Sequence, residues 1–153
     1  AFEKLKNQNR PELWYKLSYK FFLIMPKEVI ECWKNLSNIL DPKRLVQGII
    51  HTNLSHKPEL MQHFIEYLKY AIETLKIEHQ FIHNYLISLY CSANKYQSIL
   101  NYLEKYSDPI RYDKYYVIQL CFQHKIHKAC TFILCTMGLY EEAVDLALTV
   151  FYL

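Results

Sequence analysis

A chain of 153 residues is long enough for one core or for a run of stacked repeats. With 52% hydrophobic and 22% charged residues it falls outside the disordered class. Its two glycines, Gly48 and Gly138, argue against an all-β sandwich or barrel and leave no phosphate-cradling loop.

The net charge of +3 is spread along the chain, too weak and scattered for a nucleic-acid footprint. The longest apolar run, Phe-Phe-Leu-Ile-Met at 21–25, is far below the roughly 20 residues of a membrane-spanning helix. No secretory leader is read. Five irregularly spaced cysteines, with no C-x-x-C, fit reduced and buried thiols in a cytosolic protein. The chain starts without Met and reads as a segment of something longer.

In chain order, the densest basic stretch comes first, KLKNQNRPELWYKLSYK at 4–20. Trp14, Tyr15 and Tyr19 interleave there with Lys16 and Lys20, a pattern that could stack bases. An amphipathic helix whose lysines lay their stems along it is the simpler reading. Prolines then punctuate the chain. Pro11, Pro26, Pro42 and Pro58 each stand where a helix would begin, and Pro109 stands in the link before YYVIQLCF. Proline suits a first helical turn because the N–H it lacks would be unpaired there. Asp41 before Pro42 is a good N-cap.

From 57 to 76, Leu60, Met61, Phe64, Ile65, Leu68, Ala71, Ile72 and Leu75 follow the helical period. Phe81, Ile82, Tyr85, Leu86, Leu89 and Tyr90 repeat it over 79–92. Further helices are predicted at 96–106, 113–124, 126–136 and 139–150. Links are short, so neighbouring helices are antiparallel. The fold class is all-α.

An internal repeat supports this. LYCSANKYQSILNYL (89–103) aligns with ILCTMGLYEEAVDLA (133–147), placing Asn94 on Gly138 and Tyr96 on Tyr140 at an offset of 44 residues. Asn and Gly most easily end a helix in the left-handed conformation. A weaker third copy, LCFQHKIHKACTFIL (120–134), sets Cys121 on Tyr90 and Cys130 on Ile99. Such a period belongs to an α-solenoid of stacked antiparallel helical hairpins, here one segment over 1–153.

That third copy contains the sharpest chemical motif, CFQHKIHKAC. Cys121, His124, His127 and Cys130 are a structural-zinc ligand set by type. On one continuous helix, steps of three residues drift around the cylinder and do not converge. The repeat instead predicts a turn near Lys125, with Cys121 and Cys130 on facing helices and the histidines at the hairpin mouth. Packed thiols and a solvated histidine pair are therefore preferred, with zinc as the alternative. Glu141, Glu142 and Asp145 open the last helix, where acids complement the helix dipole. His79 and His83 read as a surface pair, and Trp14 and Trp33 as packing residues. No nucleophile shows an activating neighbourhood, so no catalytic residue, cofactor or binding residue is assigned.

PELWYKLSYKFF (11–22), IMPKEVIECWKNLSNILDPKRLV (24–46), HNYLISLYCSANKYQSILNYLE (83–104) and LYEEAVDLAL (139–148) together resemble the vacuolar protein sorting-associated protein 18, or deep-orange, family, from about Pro11 to Val150. The similar part is that family's clathrin-heavy-chain-repeat region. Its N-terminal β-propeller and C-terminal RING-type zinc module are outside this sequence, so no zinc ligand transfers to the quartet. The Phe151-Tyr152-Leu153 ending departs from the family's pattern. The resemblance implies a non-enzymatic scaffold segment in a shared subunit of the HOPS and CORVET class C tethering complexes, which support membrane tethering and SNARE-mediated fusion between endosomes and the lysosome or vacuole. It implies protein contacts with other tethering subunits, indirect links to Rab GTPases and SNAREs, and a peripheral position on the cytosolic face of late endosomes and lysosomes. No nucleic acid and no membrane insertion are implied. The rival readings are another coat-like solenoid, of clathrin or nuclear-pore type, and an RNA-binding helical repeat.

Overall fold

The computed structural model describes residues 1–7 and 10–152. Gln8 and Asn9 of the basic stretch, Leu153 and the side chains of 151 and 152 lie outside the description. Among the described residues there is no strand, only one isolated bridge between Ser107 and Ile110. The helices gather into two compact units that divide within one helix, after Ile82.

Unit 1 holds α1 (Phe2–Lys6), α2 (Pro11–Ile24), α3 (Pro26–Asn35), α4 (Pro42–Ile49), a 3-10 turn (Leu54–His56) and α5 (Pro58–Glu73). The four prolines open α2 to α5 as the sequence predicts. Asp41 caps α4, its carboxylate accepting from the Lys43 amide at 3.0 Å. The helix α1 and the 3-10 turn carry no long period and were not legible; Phe2 and Leu5 hold α1 down by burial. The helix α2 packs on α1, α3 and α4, and α3 packs on α5. Their shared core is aromatic. Phe22 stacks on Trp33 at 5.6 Å, and Phe64 meets both rings edge-on at 5.7 and 6.4 Å. Trp14 and Trp33 are fully buried, as packing residues should be.

Unit 2 holds most of α6 (Gln80–Ser92), with α7 (Tyr96–Tyr106), α8 (Lys114–Gln123), α9 (His127–Thr136) and α10 (Tyr140–Tyr152). Pro109 lies in the link between α7 and α8. The helix α9 packs against α7, α8 and α10. Three of its turns share one stop. Asn94, Lys125 and Gly138 have φ of 56°, 58° and 77°. In each, the next amide reaches back five residues to a carbonyl: Lys95 to Tyr90, Ile126 to Cys121 and Leu139 to Leu134, all at 2.9 Å. The left-handed residue's own amide bonds three back, at 3.0 to 3.1 Å. This paired closure is a Schellman turn, and it satisfies carbonyls that the helix end would leave unpaired. The turn near Lys125 is thus present, and the three aligned copies share it.

A Cβ added at Gly138 would meet nothing within 4 Å, so any cost there is backbone strain alone. Gly138→Ala is expected to lower stability by about 1–2 kcal/mol. Urea unfolding checks this, and an unchanged midpoint would show that the turn tolerates an ordinary residue.

The link between α7 and α8 is held by polar bonds that the sequence did not announce. Tyr112, buried, bonds through its hydroxyl to Ser107 Oγ at 2.6 Å. Asn84 Oδ1 accepts from the Asp113 amide at 2.9 Å, and Asp113 Oδ1 accepts from the Tyr115 and Tyr116 amides at 3.0 and 3.3 Å. Asp113 is therefore the N-cap of α8.

Candidate functional site

The Cys-His quartet is built around the Lys125 turn. Cys121 ends the buried face of α8, His124 caps that helix, His127 begins α9, and Cys130 lies one turn further on. Both cysteines are fully buried. Cys121 donates to Cys91 of α6; this bond raises the donor and lowers the acceptor, and burial raises both. Burial likewise pushes Cys130 up to about 11. Burial thus favours the protonated thiol at both positions, the form of a packed core cysteine. Cys130 Sγ points to the Ile118 carbonyl at 3.9 Å, a weak contact typical of a packed thiol.

The histidines depart from the sequence expectation in one respect. Both are half-buried rather than freely solvated, and His127 Nδ1 is enclosed without a hydrogen-bond partner. Ile126, buried just before His127, seats the start of α9 in the core and carries the imidazole partly inward. Among the described residues no three His, Cys, Asp or Glu side chains come together as a metal site. The four candidates share a turn but not a centre. The purified chain is expected to retain no stoichiometric zinc after dialysis. One zinc per chain, lost on Cys121→Ala with Cys130→Ala, would overturn this.

His79 and His83 are not the surface pair that the sequence suggested. His79 is exposed, just before α6, whereas His83 is buried. Its Nδ1 bonds with the Tyr102 hydroxyl, and its ring meets Tyr106 edge-on at 5.3 Å. Tyrosines on α7 give this imidazole polar company in the core, and the sequence offered no signal of it, because spacing on α6 cannot report what α7 presents. The acidic trio does sit as read. Glu141 and Glu142 occupy the first turn of α10 and Asp145 the next, all exposed.

Trp14 and Tyr15 of the basic stretch are engaged within the fold. Trp14 is buried. The Tyr15 ring lies 4.1 Å under the Arg44 guanidinium, and its hydroxyl accepts from the Asp41 amide at 2.8 Å. Arg44 in turn forks onto Glu12 at 3.1 and 3.3 Å. These groups tie α2 to α4.

Three open clefts of unit 1, of about 390, 650 and 520 Å³, hold no nucleophile set beside a base. The one cysteine lining them, Cys32, has its thiol pushed up, mainly by burial. What the surface does offer is apolar area. Ile24 is exposed at the end of α2, Tyr115, Tyr116 and Phe122 on α8, and Tyr140, Val144 and Leu148 on α10. A sequence cannot separate these from core residues, since both recur at helical spacing. Exposed apolar area of this kind suits protein contacts.

Comparison with known proteins agrees with that character. Residues 1–151 match the family described as VPS18, alpha-solenoid domain, second half. The chain is 35% identical over 153 residues to the zebrafish (Danio rerio) vacuolar protein sorting-associated protein 18 homolog, covering 98% of this chain and 16% of that protein. It is 30% identical over 152 residues to the Drosophila melanogaster homolog, covering 97% of this chain and 15% of that one. With the Schizosaccharomyces pombe vacuolar membrane protein pep3 it shares 32% over 126 residues, 80% of this chain and 14% of that protein. The chain thus spans about one sixth of the length of these relatives or less. No solved structure matches. A single family model runs across both units, and the all-α architecture is the one it describes. The chain belongs to the VPS18 family and corresponds to the second half of its α-solenoid domain.

Proposed function

We propose that this chain is a scaffold segment of a shared subunit of the HOPS and CORVET class C tethering complexes. In this role it supports membrane tethering and SNARE-mediated fusion on the route from endosome to lysosome or vacuole. The observation that carries the reading is the family match over residues 1–151. The vacuolar names of the relatives support the compartment. The physical properties fit the role. Stacked hairpins transmit load along the stack and present extended side faces to neighbours, with no cofactor needed. Over its full length the chain acts as one solenoid segment. Its partners are other tethering subunits, and through them Rab GTPases and SNAREs. No helix of the described residues is long and apolar enough to cross a membrane, consistent with a peripheral place on the cytosolic face of late endosomes and lysosomes. Its work is contact, not catalysis.

The test is affinity purification of the full-length tagged protein, compared with a version lacking this segment. Tethering subunits are expected with the first and reduced with the second. Recovery of coat or nuclear-pore proteins without tethering subunits would point to a different solenoid scaffold. Salt-sensitive binding to single-stranded RNA would restore the nucleic-acid reading.

A further inference from the structure

We propose that Cys91 and Cys121 form a redox-sensitive pair that closes to a disulfide between α6 and α8 when the chain meets a hydroperoxide. The inference goes beyond the scaffold reading and stands on how these two helices lie together. Asn84 of α6 accepts from the Asp113 amide, at the start of α8, at 2.9 Å. One turn on, Ser88 bonds the Tyr116 hydroxyl. Further on, Cys121 donates to Cys91. The three pairs advance in the same direction along both helices, so α6 and α8 run side by side and parallel, with the two sulfurs at the far end. Both cysteines are free thiols and fully buried. A small apolar residue would fill either position as well. Two thiols in contact from different helices add one property that such residues lack, the capacity to become a covalent bond.

The shared proton sets the order of events. Cys91 receives the hydrogen bond, so its sulfur is the one on which negative charge is supported; that bond lowers Cys91 and raises Cys121. The Cys91 thiolate attacks an oxygen of the hydroperoxide, the O–O bond breaks, and the leaving oxygen takes up the proton that Cys91 released. The sulfur loses two electrons, the peroxide gains them, and Cys91 becomes a sulfenic acid. The Cys121 sulfur then attacks the Cys91 sulfur. The S–O bond breaks, and hydroxide leaves as water with the Cys121 proton. Two thiols and one hydroperoxide thus give one disulfide, one water and the alcohol of the peroxide, which for hydrogen peroxide is a second water. Burial shields the pair in the closed chain, so the step waits on local opening at the end of α8, where the chain turns at Lys125. In a reducing compartment such a bond is transient and is undone by thiol exchange.

The experiment treats the full-length protein in its assembly with hydrogen peroxide and traps the remaining thiols with N-ethylmaleimide in denaturant. Unreduced peptides are then mapped by mass spectrometry. The expected product is a peptide pair joining Cys91 to Cys121, which appears with peroxide and is lost with dithiothreitol. Exposed Cys135 is the internal control, since its oxidation shows that the peroxide was sufficient. Cys121→Ser should abolish the link and leave Cys91 at the sulfenic or sulfinic stage, whereas Cys130→Ser should leave the link in place. Circular dichroism checks that both variants keep their helices. The link in the unsubstituted protein is read without any variant, so a misfolded variant does not spare the proposal. Amide hydrogen exchange over 117–126 should slow once the bond has closed, because it straps the end of α8 to α6. Oxidation of Cys135 without the linked pair, a link from Cys91 to Cys130 instead, or exchange unchanged by the bond would each overturn the proposal.

Discussion

Replacing Phe64 with alanine is expected to destabilise unit 1 by about 3–5 kcal/mol. Phe64 is fully buried on α5, with Phe22 at 5.7 Å, Trp33 at 6.4 Å and Tyr67 at 6.4 Å around it. No single neighbour can move in, because each ring is already held by another: Trp33 by Phe22 and by Tyr67. The substitution therefore leaves a cavity and removes the edge-on ring contacts together. The loss is a large fraction of the roughly 5–15 kcal/mol that a typical domain has in total. Both tryptophans lie in unit 1, so tryptophan emission during urea unfolding reports this unit directly. The midpoint should fall by about 1–3 M for a common urea dependence. A fall of less than about half a kcal/mol, the size of an ordinary surface substitution, would mean that the aromatic cluster is looser than its geometry implies.

Alkali should take the fold apart between about pH 10 and 12, starting where unfolded tyrosines ionise. Burial pushes Tyr85 up to about 12 and Tyr67 and Tyr102 further. It also raises Tyr112 and carries Cys130 to about 11. A folded-state value above the unfolded one means that the folded chain holds its proton longer. The stabilising difference is complete below the unfolded value and is lost as pH climbs through the folded one. Several phenols and thiols pull the same way, so the transition should be cooperative. Circular dichroism and phenolate absorbance should change together. Tyr67→Phe should move the midpoint upward, since it removes one of the groups driving unfolding. Fourteen tyrosines titrating as one population near pH 10, with helicity unchanged, would contradict this burial pattern.

The quartet illustrates what repeat alignment can reach. Placing Cys121 on Tyr90 and Cys130 on Ile99 predicted two core positions, and all four residues are buried. The alignment also located the Lys125 turn, because a left-handed stop leaves its trace in the register between copies even when the stop residue is lysine. It could not predict that His127 would be partly drawn inward, which depends on how Ile126 seats α9. His83 escaped for a related reason. A histidine on an amphipathic helix is ordinarily solvated, and only the tyrosines of α7 make its burial favourable.

By itself the sequence determined the all-α class, the prolines at four helix starts, the Asp41 cap, the left-handed stops and the family. All of these are local or periodic signals. They depend on backbone stereochemistry, on unpaired amides and on spacing along one helix, so neighbouring residues suffice to specify them. Only the tertiary structure decided which periodic residues are core and which are surface. Tyr115 and Phe122 look like Val117 and Cys121 along the chain, yet the first pair is exposed and the second is buried. The same holds for the pairing of Cys121 with Cys91, the fork of Arg44 on Glu12 and the polar clasp of Tyr112 on Ser107. Apart from Tyr112 and Ser107, close neighbours in the link, each joins side chains from different helices. Burial and pairing of that kind depend on what the opposing element presents, and helical spacing does not encode it.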